Sequence, residues 1–420
     1  MIGKEKKVVL AGAIGNTLEW YDFTIYAFFV PIIAMQFFPN KDPFLSMLAT
    51  FGVFAIGFLV RPLGAVFFGY IGDHTGRRKA LIISMIMMSF PTFLIGLLPN
   101  YHAIGILAPV LLTGLRIIQG LAVSGELTTA TVFLIEHADA RKRGFAGSLA
   151  MAGALLGMVL SAIFATLMSE LLSSAQLSAW GWRVPFLLGG VIGVLGLFVR
   201  LRTIDPSLYI RQKKTTPSLS LNRHIASLDC HNLIIGIFLT SIMAVANYFL
   251  IAFFNTFLIK MQGLPLKPVM MVNTIAISMQ VVSTLLMGRL SDYVGRRAVL
   301  GAGILSLIAL VYPVFWLLTQ HDIYSALLGE CLFAVTAGAL TGVIPTMLTE
   351  MFETHHRTMG ISISYNVSLA LFGGTAPLVA ITLVKITHNA FSPAWYVMIC
   401  ACMAFLALVL LRKKQKQILA

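Results

Sequence analysis

Long apolar stretches, each long enough to cross a bilayer core at about 20 residues and parted by short polar turns, run through the whole chain and limit what it can fold into. They lie near 10–38, 44–70, 79–98, 104–134, 145–170, 183–202, 231–259, 268–290, 298–318, 323–350, 359–387 and 392–411. A soluble domain carries roughly a quarter charged residues, whereas this chain of 420 has 11% charged and 58% hydrophobic. Water would reject so much apolar surface. Lipid accepts it, provided that each backbone N–H and C=O is bonded within its own helix. The expectation is an all-α integral membrane protein with twelve transmembrane helices.

The net charge of +14 belongs to topology rather than to nucleic acid. Numbering the polar gaps alternately, one set holds Lys4, Lys6, Lys7, Arg77, Arg78, Lys79, Arg141, Lys142, Arg143, six basic residues from Arg200 to Arg223, Arg289, Arg296, Arg297, Arg357, Arg412, Lys413, Lys414 and Lys416. The other set holds Lys41, Lys260, Lys267 and Lys385. Basic residues collect on the cytoplasmic side, so both termini are expected there, in a multi-pass protein of the cell's inner membrane. The first stretch has a basic prelude like that of a signal peptide. It is too long, contains Glu19 and Asp22 and shows no small-residue cleavage site, so it is expected to be retained. Cys230, Cys331, Cys400 and Cys402 lie in or beside apolar stretches without His at ligand spacing, and are expected to pack rather than to bind metal.

The chain also repeats itself. Gly69-Tyr-Ile-Gly-Asp73-His-Thr-Gly76-Arg77-Arg78 ends the second stretch, and Gly288-Arg-Leu-Ser-Asp292-Tyr-Val-Gly295-Arg296-Arg297 ends the eighth, about half the chain later. Two parallel six-helix halves with a solute site between them near the midplane is a known transporter plan. The expected organisation is an N-terminal bundle over 1–202, a cytoplasmic linker over 203–230 and a C-terminal bundle over 231–420. Within the motif the glycines permit close packing and a tight turn. The Asp suits the positive end of a neighbouring helix, and the arginines suit that Asp and anionic headgroups. Asp73, Arg77, Arg78, Asp292, Arg296 and Arg297, with Glu136 at the same mouth, are the expected gating residues.

This motif, present twice in a chain of twelve stretches, resembles the major facilitator superfamily. Gly15-Asn16-Thr17-Leu18-Glu19-Trp20-Tyr21-Asp22-Phe23 is similar to the first span of its metabolite:proton symporter family, which carries proline, betaine, 2-oxoglutarate, shikimate, citrate and dicarboxylates. Arg61-Pro62-Leu63-Gly64, Arg116-Ile-Ile-Gln119-Gly120 with Ser124-Gly125-Glu126, Trp182-Arg183-Val-Pro185-Phe186, Tyr365-Asn366 and Phe372-Gly373-Gly374-Thr-Ala-Pro377 extend the likeness over nearly the whole chain. The resemblance implies the major facilitator fold, two pseudo-symmetric six-helix bundles and proton-coupled transport. The chain stops just after the twelfth stretch, so regulation by the coiled-coil tail of some osmosensing carriers is not expected.

Ionisable groups inside a span are costly and mark function by default. Asp22 and Arg116 each lie about 18 Å into their spans at the helical rise, so a carboxylate and a guanidinium share one depth. An ion pair between them, broken on protonation, couples a proton to a conformational change, and the resemblance implies the same use. Glu19, one turn from Asp22, and Glu126 form a second candidate pair sharing a proton. Arg61 and Arg183 are expected to be paired structurally or to snorkel. The expected solute wall is Asn16, Tyr21, Tyr26, Gln119, Asn247, Tyr248, Tyr365 and Asn366. Aromatic rings beside carboxylates suit a cationic or zwitterionic amine such as proline or betaine, while a di- or tricarboxylate is the alternative, drawing on Arg116, Arg61 and Lys385. A drug–proton antiporter is less favoured, because Gly153-Ala-Leu-Leu-Gly157-Met-Val in the fifth stretch lacks proline. No nucleotide-binding Gly-rich loop, H-E-x-x-H or G-x-S-x-G occurs, so neither an enzyme nor ATP drive is expected. The expected partners are a small solute, a proton and the bilayer, with no nucleic acid, no metal and no cofactor besides the proton gradient, in a monomer.

Overall fold

The computed structural model of the chain describes residues 16–75, 77–123, 126–136, 138–203, 229–353 and 357–411. The expected linker, 203–230, lies almost wholly outside them. Helical segments follow one another as α1 (Asn16–Phe28 and Val30–Phe37), α2 (Pro43–Leu59 and Arg61–Thr75), α3 (Arg77–Leu97), α4 (Leu107–Ala122 and Glu126–Glu136), α5 (Arg143–Leu171) and α6 (Arg183–Thr203). After the gap come α7 (Cys230–Met261), α8 (Leu266–Val294), α9 (Arg296–Leu318), α10 (Ile323–Met351), α11 (Arg357–Thr387) and α12 (Ser392–Val409). Among the described residues, length and apolarity qualify 8 helices to cross a membrane, and up to 10 when each bent pair is one span. The third and fourth expected spans contribute shorter apolar helices, Ile82–Leu97 and Leu107–Ala122. The count of twelve thus exceeds what length and apolarity alone establish.

Local chemistry sets the starts and the bends. Asp42, Asn100, Asp229 and Asp322 each accept a hydrogen bond from a first-turn backbone N–H of the helix that follows, satisfying a donor left open at every helix N-terminus. Pro31 removes an i→i−4 bond and crowds the preceding turn, and α1 bends there by 65°. In α7 two π-helical turns, Phe249–Phe253 and Phe257–Met261, flank the short α-helical piece Phe254–Thr256. Leu63, Phe90, Ile106, Val194, Leu286, Trp316 and Leu406 are exposed, an apolar rim that suits lipid and not water.

Within lipid, helices associate through close packing at small residues. A Cβ at Gly120 of α4 would overlap the carbonyl oxygen of Gly57 on α2, so only glycine permits this approach. Two seams join the halves, where α5 lies along α8 and α10, and α2 and α4 meet α11.

Gly120→Val should force α2 and α4 apart and cost about 1–3 kcal/mol, the usual range for overpacking. Purified protein should show a lower thermal unfolding midpoint, whereas Ile118→Val, at a partly lipid-facing position of the same helix, should leave it unchanged.

Candidate functional site

The deepest charges of the first half are two guanidiniums. Arg116 on α4 is fully buried, its Cζ 4.5 Å from the ring centroids of both Phe23 and Tyr26 and 5.6 Å from that of Phe54. Arg61, at the junction of the two parts of α2, is 1% exposed, with its Cζ 5.6 Å from Trp20, 5.8 Å from Phe23 and 5.5 Å from Phe58. The Phe23 ring lies against both. Tyr248 of α7 stands edge-on to Phe58 at 4.8 Å, and Gly373 and Gly374 of α11 lie against Tyr248 and Phe58, so the second half closes the cage.

Backbone and neutral groups meet only part of these cations' demand. Arg116 Nη1 donates to Gln119 Oε1 at 2.9 Å and to the Phe23 carbonyl at 3.3 Å, and Arg61 Nη2 donates to the Val123 carbonyl at 3.3 Å. Nε and Nη2 of Arg116 and Nε and Nη1 of Arg61 find no hydrogen-bond acceptor among the described residues. Arg61 also faces the hydroxyls of Tyr248 and Tyr365, and Tyr365 lies close to Glu19. Buried donors left open around a concentrated positive charge suit an anionic group arriving from outside.

The expected Asp22–Arg116 ion pair is not formed. Asp22 turns to α3 and α6, where its Oδ2 accepts from Ser89 Oγ at 3.0 Å and its Oδ1, without a hydrogen-bond partner, lies beside Gly189. Hydrogen bonds run from Arg116 toward Asp22 but stop short of it. Arg116 holds Gln119, Gln119 Nε2 donates to Thr92 Oγ1 at 2.8 Å, and Thr92 abuts Gly189 next to Asp22. Arg61 does not snorkel, since aromatic rings enclose it. Arg183 braces structure as expected, donating to the Gly96 and Leu98 carbonyls at the C-terminal end of α3.

Of the expected solute wall, Tyr26, Gln119, Tyr248 and Tyr365 gather at the arginines. Tyr21 does not, because its hydroxyl donates to the Pro185 carbonyl at 2.8 Å and its ring packs on Phe164. Asn16 is buried with its Oδ1 unbonded, and Asn366 donates to the Ser362 carbonyl one turn back. Asn247 accepts from Gln280 Nε2 and, at 3.4 Å, from Thr341 Oγ1, drawing α8 and α10 into its cluster. The side chain of Glu126 lies outside the described residues, so its pairing with Glu19 does too.

Polar contacts cross the seam between the halves at both of its ends. At one end, the Asp292 carboxylate accepts from the backbone N–H of Gly144 at 2.8 Å and of Phe145 at 2.9 Å, the first turn of α5, while Arg296 holds the same carboxylate at 2.8 Å. Glu136 pairs with Arg357 at 2.6 Å rather than with its neighbours Arg141 and Arg143. Glu350, 3.6 Å from Arg296, also feels Arg143. Arg297 donates to the Leu408 carbonyl of α12. The side chains of Asp73, Arg77 and Arg78 lie outside the described residues. At the other end Lys385 meets Asp42 at 3.5 Å, above the Phe44 ring, and Thr166 of α5 meets Thr274 of α8 at 2.8 Å.

Glu350 and Arg357 were findable in the sequence. Glu136 and Arg143 flank the loop after α4, and Glu350 and Arg357 flank the matching loop after α10 with the same spacing. Ser89, Thr92, Phe54 and Phe58 carry no such signal.

Comparisons with known proteins bear on the family and the fold. The profile of the family described as "Sugar (and other) transporter" matches residues 8–223, and that of the "Major Facilitator Superfamily" matches residues 237–418. The glycine betaine/proline/ectoine/pipecolic acid transporter OusA of Dickeya dadantii (strain 3937) is 36% identical over 417 residues, covering 96% of this chain and 82% of the relative. The proline/betaine transporter of Escherichia coli (strain K12) is 34% identical over 424 residues, covering 98% and 84%. Among solved structures, that of a D-xylose–proton symporter superposes with a TM-score of 0.76 at 19% identity over 97% of both chains. A partially occluded inward-open conformation of the xylose transporter XylE from E. coli gives 0.74 at 19%, over 96% of both. The chain is therefore a membrane transporter of the major facilitator superfamily and belongs to its family of proline/betaine-type metabolite carriers.

Proposed function

We propose that the chain is a proton-driven importer of a small zwitterion of the proline or betaine kind, in the inner membrane, with twelve spans and both termini cytoplasmic. The observation that carries this reading is the cage of Arg61 and Arg116. Their open N–H groups suit the solute carboxylate, and the surrounding rings, with Glu19 near Tyr365, suit its cationic nitrogen. The relatives' names, betaine and proline carriers, support the same class. The presence of two guanidiniums rather than one favours a second reading, a dicarboxylate bridging both.

Asp22 is the proposed coupling carboxyl. Ionised, it attracts the Arg116 guanidinium from beyond Thr92 and Gln119, and protonated it leaves Arg116 free for the solute carboxylate. Binding and proton uptake then favour each other, and both closed ends hold the loaded solute between them. No cofactor takes part, and the proton gradient supplies the drive. A monomer contains the whole site, since both halves of one chain build the cage.

In proteoliposomes with an imposed pH gradient, labelled proline or betaine should accumulate, with unlabelled 2-oxoglutarate a weak competitor. Strong competition by 2-oxoglutarate and none by betaine would reverse the two readings. Asp22→Asn should abolish accumulation while preserving solute exchange, and gradient-driven uptake at the wild-type level would remove Asp22 from the coupling role. Arg116→Lys cannot reproduce the planar fork, and loss of one charge-assisted bond, worth about 1.5–3 kcal/mol, should raise the solute Kd at least about tenfold. Asp292→Asn should slow net transport while leaving solute affinity unchanged, because it loosens the closed end and not the cage.

A further inference from the structure

The second half contains a charge problem that the Arg cage does not involve. Glu330 of α10 is fully buried, and its one hydrogen bond runs from Asn273 Nδ2 of α8 to its Oε2, at 2.8 Å. Asn273, also fully buried, donates as well to the Leu250 carbonyl of α7, and its Oδ1 accepts from Asn255 Nδ2 at 3.1 Å. Two acceptors in this network remain open, Glu330 Oε1 and Asn255 Oδ1. None of the ion pairs among the described residues includes Glu330.

The groups around it are neutral. From α7 come Asn255 and Phe254, the latter edge-on to Phe333. Asn273 comes from α8, and Val314, Leu317 and Leu318 of α9 pack on the adjacent Gly329. On its own helix the titratable neighbour is Cys331. A carboxylate ion in such surroundings costs several kcal/mol. A metal cation does not answer the problem, because Asn273 turns its NH2 group, a donor, toward the carboxyl. A proton answers it, since it cancels the charge and adds the one donor that the open acceptors lack.

We propose that Glu330, with Asn273 and Asn255, is a second proton-binding site, loaded from the outer face and occupied in this closed state. The proposal rests on the reading of the chain as a proton-driven importer. Its placement supports exchange over a fixed brace. Glu330, Asn273 and Asn255 each lie within about 10 Å of the same end of their helices. From Asn255 the π turn Phe257–Met261 leads to an open depression lined by Met261, Gln262, Phe44 and Lys385, at the Asp42–Lys385 contact. π turns are frequent where helices rearrange at functional sites. On loading, a hydronium ion at that face gives up its proton, the Glu330 O–H bond forms, a water is left behind, and the carboxyl keeps the Asn273 bond.

The test is difference infrared spectroscopy of the full-length protein in lipid nanodiscs between acid and alkaline pH, with and without proline. A protonated-carboxyl carbonyl band should be present at acid pH, decline on alkalinisation, respond to proline and vanish in Glu330→Gln. It should persist, shifted, in Glu330→Asp. In proteoliposomes Glu330→Gln should move fewer protons per solute than wild type. A band that persists at every pH and with proline would make Glu330 a fixed neutral brace and overturn the proposal. So would its absence from the wild type, or its survival in a folded Glu330→Gln. Absence of gradient-driven uptake in wild type would instead overturn the preceding reading, and the band, read without transport, decides the Glu330 site separately.

Discussion

Two positive charges held out of water, with no ion-pair partner among the described residues, are the constraint around which the first half is arranged. Neither Arg61 nor Arg116 reaches solvent, and three residues of α1 (Trp20, Phe23 and Tyr26) and two of α2 (Phe54 and Phe58) supply the ring faces that make their burial tolerable. Gly57 lets α4 approach closely enough for Arg116 to enter, its Cβ position lying 3.3 Å from the Arg116 carbonyl and 3.8 Å from Nε. Tyr248 from the second half completes the enclosure, so the proposed solute site and the contact between the halves use the same atoms.

That sharing connects binding to motion. A carboxylate satisfying the open N–H groups removes the cost of the uncompensated charge only while Tyr248 and α11 stay against Phe54 and Phe58. On the proposed reading solute binding favours closure of the two bundles, since a ligand shifts such an equilibrium only through interactions that differ between the two states. Asp22, bonded to Ser89, stays at one remove, because the hydrogen bonds from Arg116 through Gln119 end at Thr92.

The fold was legible because lipid imposes a coarse pattern, and the recurrence of Asp73 as Asp292 announced the two halves. The Asp22–Arg116 pairing failed for a definite reason. Counting residues gives depth along a helix and says nothing of direction around it, and each step turns about 100°. Tyr21 and Asp22 are adjacent, yet neither joins the cage that encloses Arg116: one points to Pro185, the other to Ser89. Arg61 looked like an anchor because the rings that bury it come from distant stretches. The Glu350 role was missed although the repeat carries it.

The pairing of Glu136 with Arg357, and the approach of Glu350 to Arg143, cross the seam in opposite senses. Each half supplies one acid and one base, at matching positions. Such a clasp resists twisting as well as separation, because rotation that relieves one contact tightens the other. The closed mouth therefore cannot peel open from an edge. Opening of this mouth requires both arms of the clasp to be given up, so the two hold it together.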